Sequence, residues 1–120
     1  MKKVNNHYAI VEQVIKFLGA SQLHQPTLEE ISKHVFLSKF HLLRVFQEWA
    51  GVSPKQFLQY LTVEHSKSLL RLGKSTLETS YEAGLSGNGR LHDLFFKCES
   101  MSPGEFKNKG KDLTNKWEVI

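Results

Sequence analysis

One stretch of this chain is written twice. The run TLEEISKHVFLSKFHLLRVFQEWAGVSPKQF, which begins at Thr27, returns 49 positions later as TLETSYEAGLSGNGRLHDLFFKCESMSPGEF. Thr27-Leu28-Glu29 matches Thr76-Leu77-Glu78, Leu42 and Phe46 match Leu91 and Phe95, and Ser53-Pro54 with Phe57 matches Ser102-Pro103 with Phe106. In the middle, Leu37-Ser38 lines up with Leu85-Ser86 at a spacing of 48, which places one extra residue in the turn of the second copy. A solenoid needs more than two stacked repeats to bury a continuous core. Two copies point instead to a duplicated binding unit.

Both copies carry the helical period and its stop signals. A first helix is expected from roughly Asn6 to Leu18, with Tyr8, Val11, Val14, Ile15 and Leu18 on one face and Gly19 after it. Thr27-Leu28-Glu29-Glu30 reads as a capping box and starts a helix that turns Leu28, Ile31 and Val35 inward. Ser38 is the natural N-cap of the next, where Leu42, Val45, Phe46 and Trp49 form a stripe and Gly51 ends it. Ser53-Pro54-Lys55-Gln56 combines a cap, a proline at the first helical position and a returning glutamine. That helix runs to about Leu72 and stops at Gly73. The second copy repeats the scheme, with helices over about Thr76–Ala83 and Asn88–Glu99, inward Leu91, Leu94, Phe95 and Cys98, and a short helix opened by Ser102-Pro103-Gly104-Glu105. The expected fold is all-α, with about seven helices and no strand. Its domain is expected over residues 1–107: subdomain one at about 5–52, a linking helix at about 53–72 and subdomain two at about 74–107. Residues 108–120 read as a basic linker tail.

Two short helices joined by a tight turn are the proportions of a helix-turn-helix, whose second helix offers three or four side chains to base edges in the major groove. With the stripe of the third helix facing in, its other face displays Lys39, Phe40, Leu43, Arg44 and Gln47. Arg44 has the fork to bond guanine bidentately, and Phe40 and Leu43 suit thymine methyls. Ser38, Lys39, His41 and Gln47 fall to the phosphates, which fix register without reading sequence. The second copy leaves Asn88, Gly89, Arg90, His92, Asp93 and Lys97 outward, with Asn88 and Arg90 placed to read bases and His92 and Lys97 to meet the backbone. Asp93 either accepts from a cytosine amino group or pairs with Arg90 or Lys97. A linking helix of twenty residues spans roughly 30 Å, close to the ~34 Å between major-groove faces one turn apart. A single chain with both units as a direct repeat is thus expected to act as a monomer on an asymmetric site.

These residues resemble the DNA-binding domain of the AraC/XylS transcription regulators over roughly Tyr8 to Lys107. The carriers are the two helix-turn-helix copies, the stretch SKFHLLRVFQEWAGVSPKQFLQYL, and the closing F-x-x-x-x-x-M-S-P-G-E-F-K from Phe95 to Lys107. The resemblance implies two recognition helices in adjacent major grooves, with Phe40, Leu43 and Arg44 reading bases in the first and Gly89, Arg90 and Asp93 in the second. It also implies double-stranded DNA and RNA polymerase as partners, while the single cysteine suits a reducing cytoplasm, the expected location. Members usually hold glycine where this chain has Phe36, and many hold arginine at the place of Asp93. GLSGNGRLHDLF and MSPGEFKNKG are similar to the regulator segment of Ada-type proteins, in which an AraC-like unit precedes an O6-alkylguanine-DNA alkyltransferase domain. That likeness implies a catalytic half absent from this chain, whose sequence lacks the Pro-Cys-His-Arg acceptor motif.

Composition narrows the remaining classes. Sixteen Lys and Arg against twelve Asp and Glu give a net charge of +4, compatible with a nucleic-acid partner. The single cysteine, Cys98, excludes an internal disulfide and a cysteine-rich zinc site. His7, His24, His34, His41, His65 and His92 show no metal-ligand spacing with carboxylates on one helix. No catalytic residue, cofactor or metal is therefore expected, and no apolar run reaches membrane-spanning length. The rival class is a helical protein-interaction module, which would account for exposed Phe40 and Leu43 through a helix-in-groove contact.

Overall fold

The computed structural model describes residues 2–109, with side chains from His7 onward. Every regular element among them is helical: α1 (Lys2–Ser21), a 3-10 turn (Gln22–His24), α2 (Leu28–His34), α3 (Lys39–Ala50), α4 (Pro54–Arg71), α5 (Thr76–Glu82) and α6 (Asn88–Glu99). A last helix, α7, opens at Pro103 and continues to residue 109. The all-α architecture expected from the periodicity is the one observed. Most of the 108–120 tail lies outside the described residues.

The helix starts follow from side-chain chemistry. Thr27 accepts from the Glu30 amide while the Glu30 carboxylate accepts from the Thr27 amide at 2.8 Å. Ser53 and Gln56 make the same reciprocal pair, with Pro54 at the position whose missing N–H costs nothing. Ser102 and Glu105 repeat it at the head of α7. At α5 the box is formed by Ser75 and Glu78, so Ser75 rather than Thr76 is the structural counterpart of Thr27. The two copies are thus offset by 48 from the cap through the turn and by 49 from the next helix on. The matched Thr-Leu-Glu triplets do not superpose in register, and the one extra residue of the second copy falls just before the Gly87 cap of α6.

Two compact units divide the chain, with the border between Leu61 and Thr62 inside α4. The first unit is built on Val11, Val14, Leu18, Ile31, Val35, Leu42, Val45, Phe46 and Leu58. The second is built on Val63, Leu70, Leu85, Leu91, Leu94 and Phe95, with Met101 and Phe106 against them. Phe46 and Phe95 are each fully buried, worth about 1.5–3 kcal/mol apiece in area removed from water. The α1 face is rotated from expectation: Ile10 and Phe17 pack on the core, whereas Tyr8 and Ile15 are exposed. Both sets share Val11, Val14 and Leu18 and both satisfy the helical period, so only the packing against α3 chooses between them. Gly19 lies within α1, which ends two residues later.

In the second unit Lys67 bonds Glu64 at 2.8 Å and Glu99 at 3.1 Å, which ties α4 to the end of α6. Burial pulls its ammonium pKa down, but the bonds and charges of the two carboxylates outweigh this and hold it above the ordinary value. Thr79 has a fully buried side chain whose hydroxyl lacks a hydrogen-bond partner. In the 48-residue register its counterpart is Ile31, a core residue of the first unit.

Candidate nucleic-acid interface

The geometry of each site begins at the turn that separates its two helices. After α2, the amide of Phe36 donates to the Lys33 carbonyl at 3.3 Å and that of Leu37 to the Ser32 carbonyl at 3.0 Å. After α5, the amide of Gly84 donates to the Tyr81 carbonyl at 3.0 Å and that of Leu85 to the Ser80 carbonyl at 2.8 Å. This paired pattern is a Schellman cap, which requires a left-handed residue just past the helix. Gly84 meets that need at φ 87°, and Phe36 meets it at φ 58°. Phenylalanine therefore holds a conformation that a Cβ disfavours by roughly 1–2 kcal/mol. The ends of α3 and α6 show the reverse exchange: Gly51 is left-handed at φ 78° and Ser100 at φ 58°.

From the first turn, Ser38 caps α3 by accepting from the His41 amide at 3.2 Å. Leu42, Val45 and Phe46 anchor α3 in the core. The opposite face carries exposed Lys39, Arg44 and Gln47, together with Phe40, which is 85% exposed. Leu43 and His41 are half-buried, and the His41 ring lies 6.2 Å from that of His7. Gln47 Nε2 reaches the Gly51 carbonyl at 3.4 Å, so this side chain also closes the end of its own helix. From Ile31 through Gln47 the chain holds Lys33, Lys39 and Arg44 and no acidic residue. That run gives the turn and the first turns of α3 basic side chains only, with exposed Glu48 following in the last turn of α3, a bias suited to an anionic partner.

In the second unit Leu91, Leu94 and Phe95 anchor α6, and Asn88, Gly89, Arg90, His92, Asp93 and Lys97 are all exposed. Gly87 caps α6 with no side-chain bond, unlike Ser38 in α3. A Cβ at Gly89 would meet nothing within 4 Å, so no packing inside the chain calls for glycine there. Asp93 Oδ1 stands 4.0 Å from His92 Nδ1, a neighbour that the helical-spacing argument leaves out. The His92 ring stacks on Phe96 with centroids 5.9 Å apart.

Two inward assignments do not hold. Trp49 is 49% exposed, with its ring edge-on to Tyr8 at 5.8 Å, and Cys98 is exposed as well. They occupy equivalent places, 49 residues apart, in the last turns of α3 and α6. The helical stripe continues there, but the core beneath it has ended. Burial and then the charge of Glu99 push the Cys98 thiol up, which keeps it in its less nucleophilic form. No group of three or more metal-ligating side chains occurs among the described residues. No helix among them is long and apolar enough to cross a membrane.

A short helix, a fixed left-handed turn and a core-anchored second helix with a polar outer face define a helix-turn-helix, and each unit holds one. The family model described as a helix-turn-helix domain matches residues 31–109, and the chain belongs to that family. Solved domains of AraC-type regulators share the fold. One solved relative in fold is the DNA-binding domain of AdpA, a global transcriptional factor, in complex with a target DNA. It aligns with a TM-score of 0.76 at 20% identity, over 82% of this chain and 90% of that one. The chain is 26% identical over 98 residues to the melibiose operon regulatory protein of Escherichia coli strain K12, covering 81% of this chain and 32% of that protein. It is 25% identical over 93 residues to the bifunctional transcriptional activator/DNA repair enzyme Ada of the same strain, covering 78% and 26%. The chain thus spans about a third of the length of the operon regulator it matches.

Proposed function

We propose that this chain binds duplex DNA sequence-specifically as a monomer and regulates transcription, with α3 and α6 as recognition helices in adjacent major grooves. The observation that carries the reading is the outer face of α3. It combines Arg44, Lys39 and a nearly fully exposed Phe40 within a run that has no acidic side chain. Arg44 reads guanine, Phe40 and Leu43 pack on thymine methyls, and Ser38, Lys39, His41 and Gln47 contact phosphates. In α6, Asn88, Arg90 and Asp93 face the bases, Gly89 lets the backbone come close, and His92 and Lys97 hold the strand. The proposed domain runs over residues 1–107, with the two subdomains on either side of α4.

The regulatory role is supported by the operon regulators and the DNA-bound AdpA domain to which the chain is similar. RNA polymerase is then the expected partner, and the cytoplasm the expected location. Likeness to Ada supports a narrower reading, in which the chain is the regulatory part of an alkylation-response protein. The chain itself is read as non-enzymatic.

Selection of binding sites from a random duplex pool at moderate salt tests the reading. The expected result is two unlike sequence blocks about one helical turn apart. A single block would restrict α6 to backbone contacts, and no enrichment at all would overturn sequence-specific binding.

A further inference from the structure

Phe36 bears two costs and draws no return from its own chain. Its φ of 58° lies in the left-handed region that bulky side chains avoid. The residue is 92% exposed to water, and its ring takes part in none of the ring contacts among the described residues. The turn does not need it, because Gly84 makes the same two carbonyl bonds in the second copy without a side chain. A strained residue that the local hydrogen bonding does not require points to a use for its side chain.

What surrounds Phe36 narrows that use. Phe40 follows four residues on, 85% exposed in the first turn of α3. Exposed Lys33, His34 and Lys39 lie between or beside the two rings in sequence, inside the acid-free run from Ile31 to Gln47. A protein groove that accepts two aromatic rings has no need of lysines beside them. A DNA major groove supplies phosphates for the lysines and, at thymine alone among the base edges, a methyl group for an aromatic ring.

Resting on the reading of α3 as a recognition helix, we propose that Phe36 is itself a DNA-contacting residue. With Phe40 it extends the apolar edge of the first unit onto a neighbouring thymine methyl, so that the turn, and not only the helix, reads sequence. The glycine at the matching place confines the second unit to what α6 reads.

The test compares the parent with Phe36→Gly and Phe36→Asn, since asparagine also tolerates the left-handed conformation. Each is titrated on the selected site and on copies in which one thymine at a time is replaced by deoxyuridine, which lacks only the 5-methyl group. Phe36→Gly is expected to melt higher than the parent yet bind the selected site about tenfold more weakly, the order of loss for one ring returned to water. The salt dependence stays unchanged, because no charge is removed. One deoxyuridine position weakens the parent and leaves both variants unaffected. Parent-like affinity in Phe36→Gly with a raised melting temperature would overturn the proposal and assign the ring to a protein partner. Equal sensitivity of parent and variants at every deoxyuridine position would overturn it too. A parent that selects no site at all defeats the DNA reading itself, a failure visible before any variant is made.

Discussion

Replacing Thr79 by valine is expected to stabilise the second unit. The side chain is fully buried and its hydroxyl has no hydrogen-bond partner, so folding strips that group of water without compensation. Such a loss costs about 1–3 kcal/mol in protein mutational series. Valine keeps the shape and the β-branch, with nearly the same helix propensity, and its second methyl adds up to about 0.8 kcal/mol of burial. The expected net gain is about 1–2 kcal/mol. In a unit of this size that corresponds to a rise of roughly 4–16 °C in melting temperature. Native-state hydrogen exchange at the Leu85 and Leu91 amides assigns the gain to the second unit, because protection tracks the local opening energy. The converse change, Ile31→Thr, places a hydroxyl at the matching point of the first unit and is expected to cost about 2 kcal/mol or more. A Thr79→Val protein no more stable than its parent would refute the reasoning, since the hydroxyl would then have a partner in solution.

Other expectations follow from the same structure. Arg44→Ala should cost about 1–3 kcal/mol in binding and relax specificity at one base pair, whereas Lys39→Ala should weaken all sequences alike and lower the salt slope by about one. Titrations at several salt concentrations separate the two, and parent-like binding by both would displace the first recognition helix. Phe46→Ala or Phe95→Ala should lower stability by about 3–5 kcal/mol in urea unfolding. Gly89→Ala should raise stability in urea unfolding by up to about 1 kcal/mol of helix propensity, while weakening DNA binding because a methyl group holds the α6 backbone off the groove. Backbone and side-chain bonds from Ser75 and Ser102 hold the Glu78 and Glu105 carboxyls below their ordinary 4.5. Depressed folded-state values mean that their contribution is complete above about pH 4.5 and is lost as pH falls through the lower folded values. Melting followed from pH 6 to pH 3 should therefore decline at the acid end, and less steeply in Glu78→Gln.

The features legible in the sequence were those in which one residue type performs one local task. The Thr27, Ser38, Ser53 and Ser102 caps are in this class, as are the glycines ending α3 and α4. The anchors Leu42, Phe46, Leu91 and Phe95 sit in mid-helix, where period and burial coincide. Where two registers satisfied the same rule, the sequence could not choose between them. Thr76-Leu77-Glu78 looks like Thr27-Leu28-Glu29, but a capping box needs the acid three residues after the cap, and Ser75 has that spacing to Glu78. The faces of α1 and the last turns at Trp49 and Cys98 depend on where neighbouring helices stop, which no local pattern encodes. The outward faces of α3 and α6 were readable because their inward faces were. Phe36 stands out in the sequence as a departure from the glycine that family members usually hold, but its left-handed angle and its exposure are visible only in the structure. Alignment with Gly84 at the 48-residue offset is a second signal for it within the chain itself.

The border between the units, falling between Leu61 and Thr62, bears on how the molecule can be dissected. A second unit cut at that point would begin with the last ten residues of α4, Thr62 to Arg71, and with none of that helix's start signals. The serine, proline and glutamine that launch α4 all belong to the first unit. A severed half-helix would carry four new unpaired amides beside the buried Thr62 and Val63. The start signals of the helix that opens the second half therefore lie in the first. An isolated C-terminal unit would gain about 1 kcal/mol from a transplanted Ser-Pro-x-Gln head.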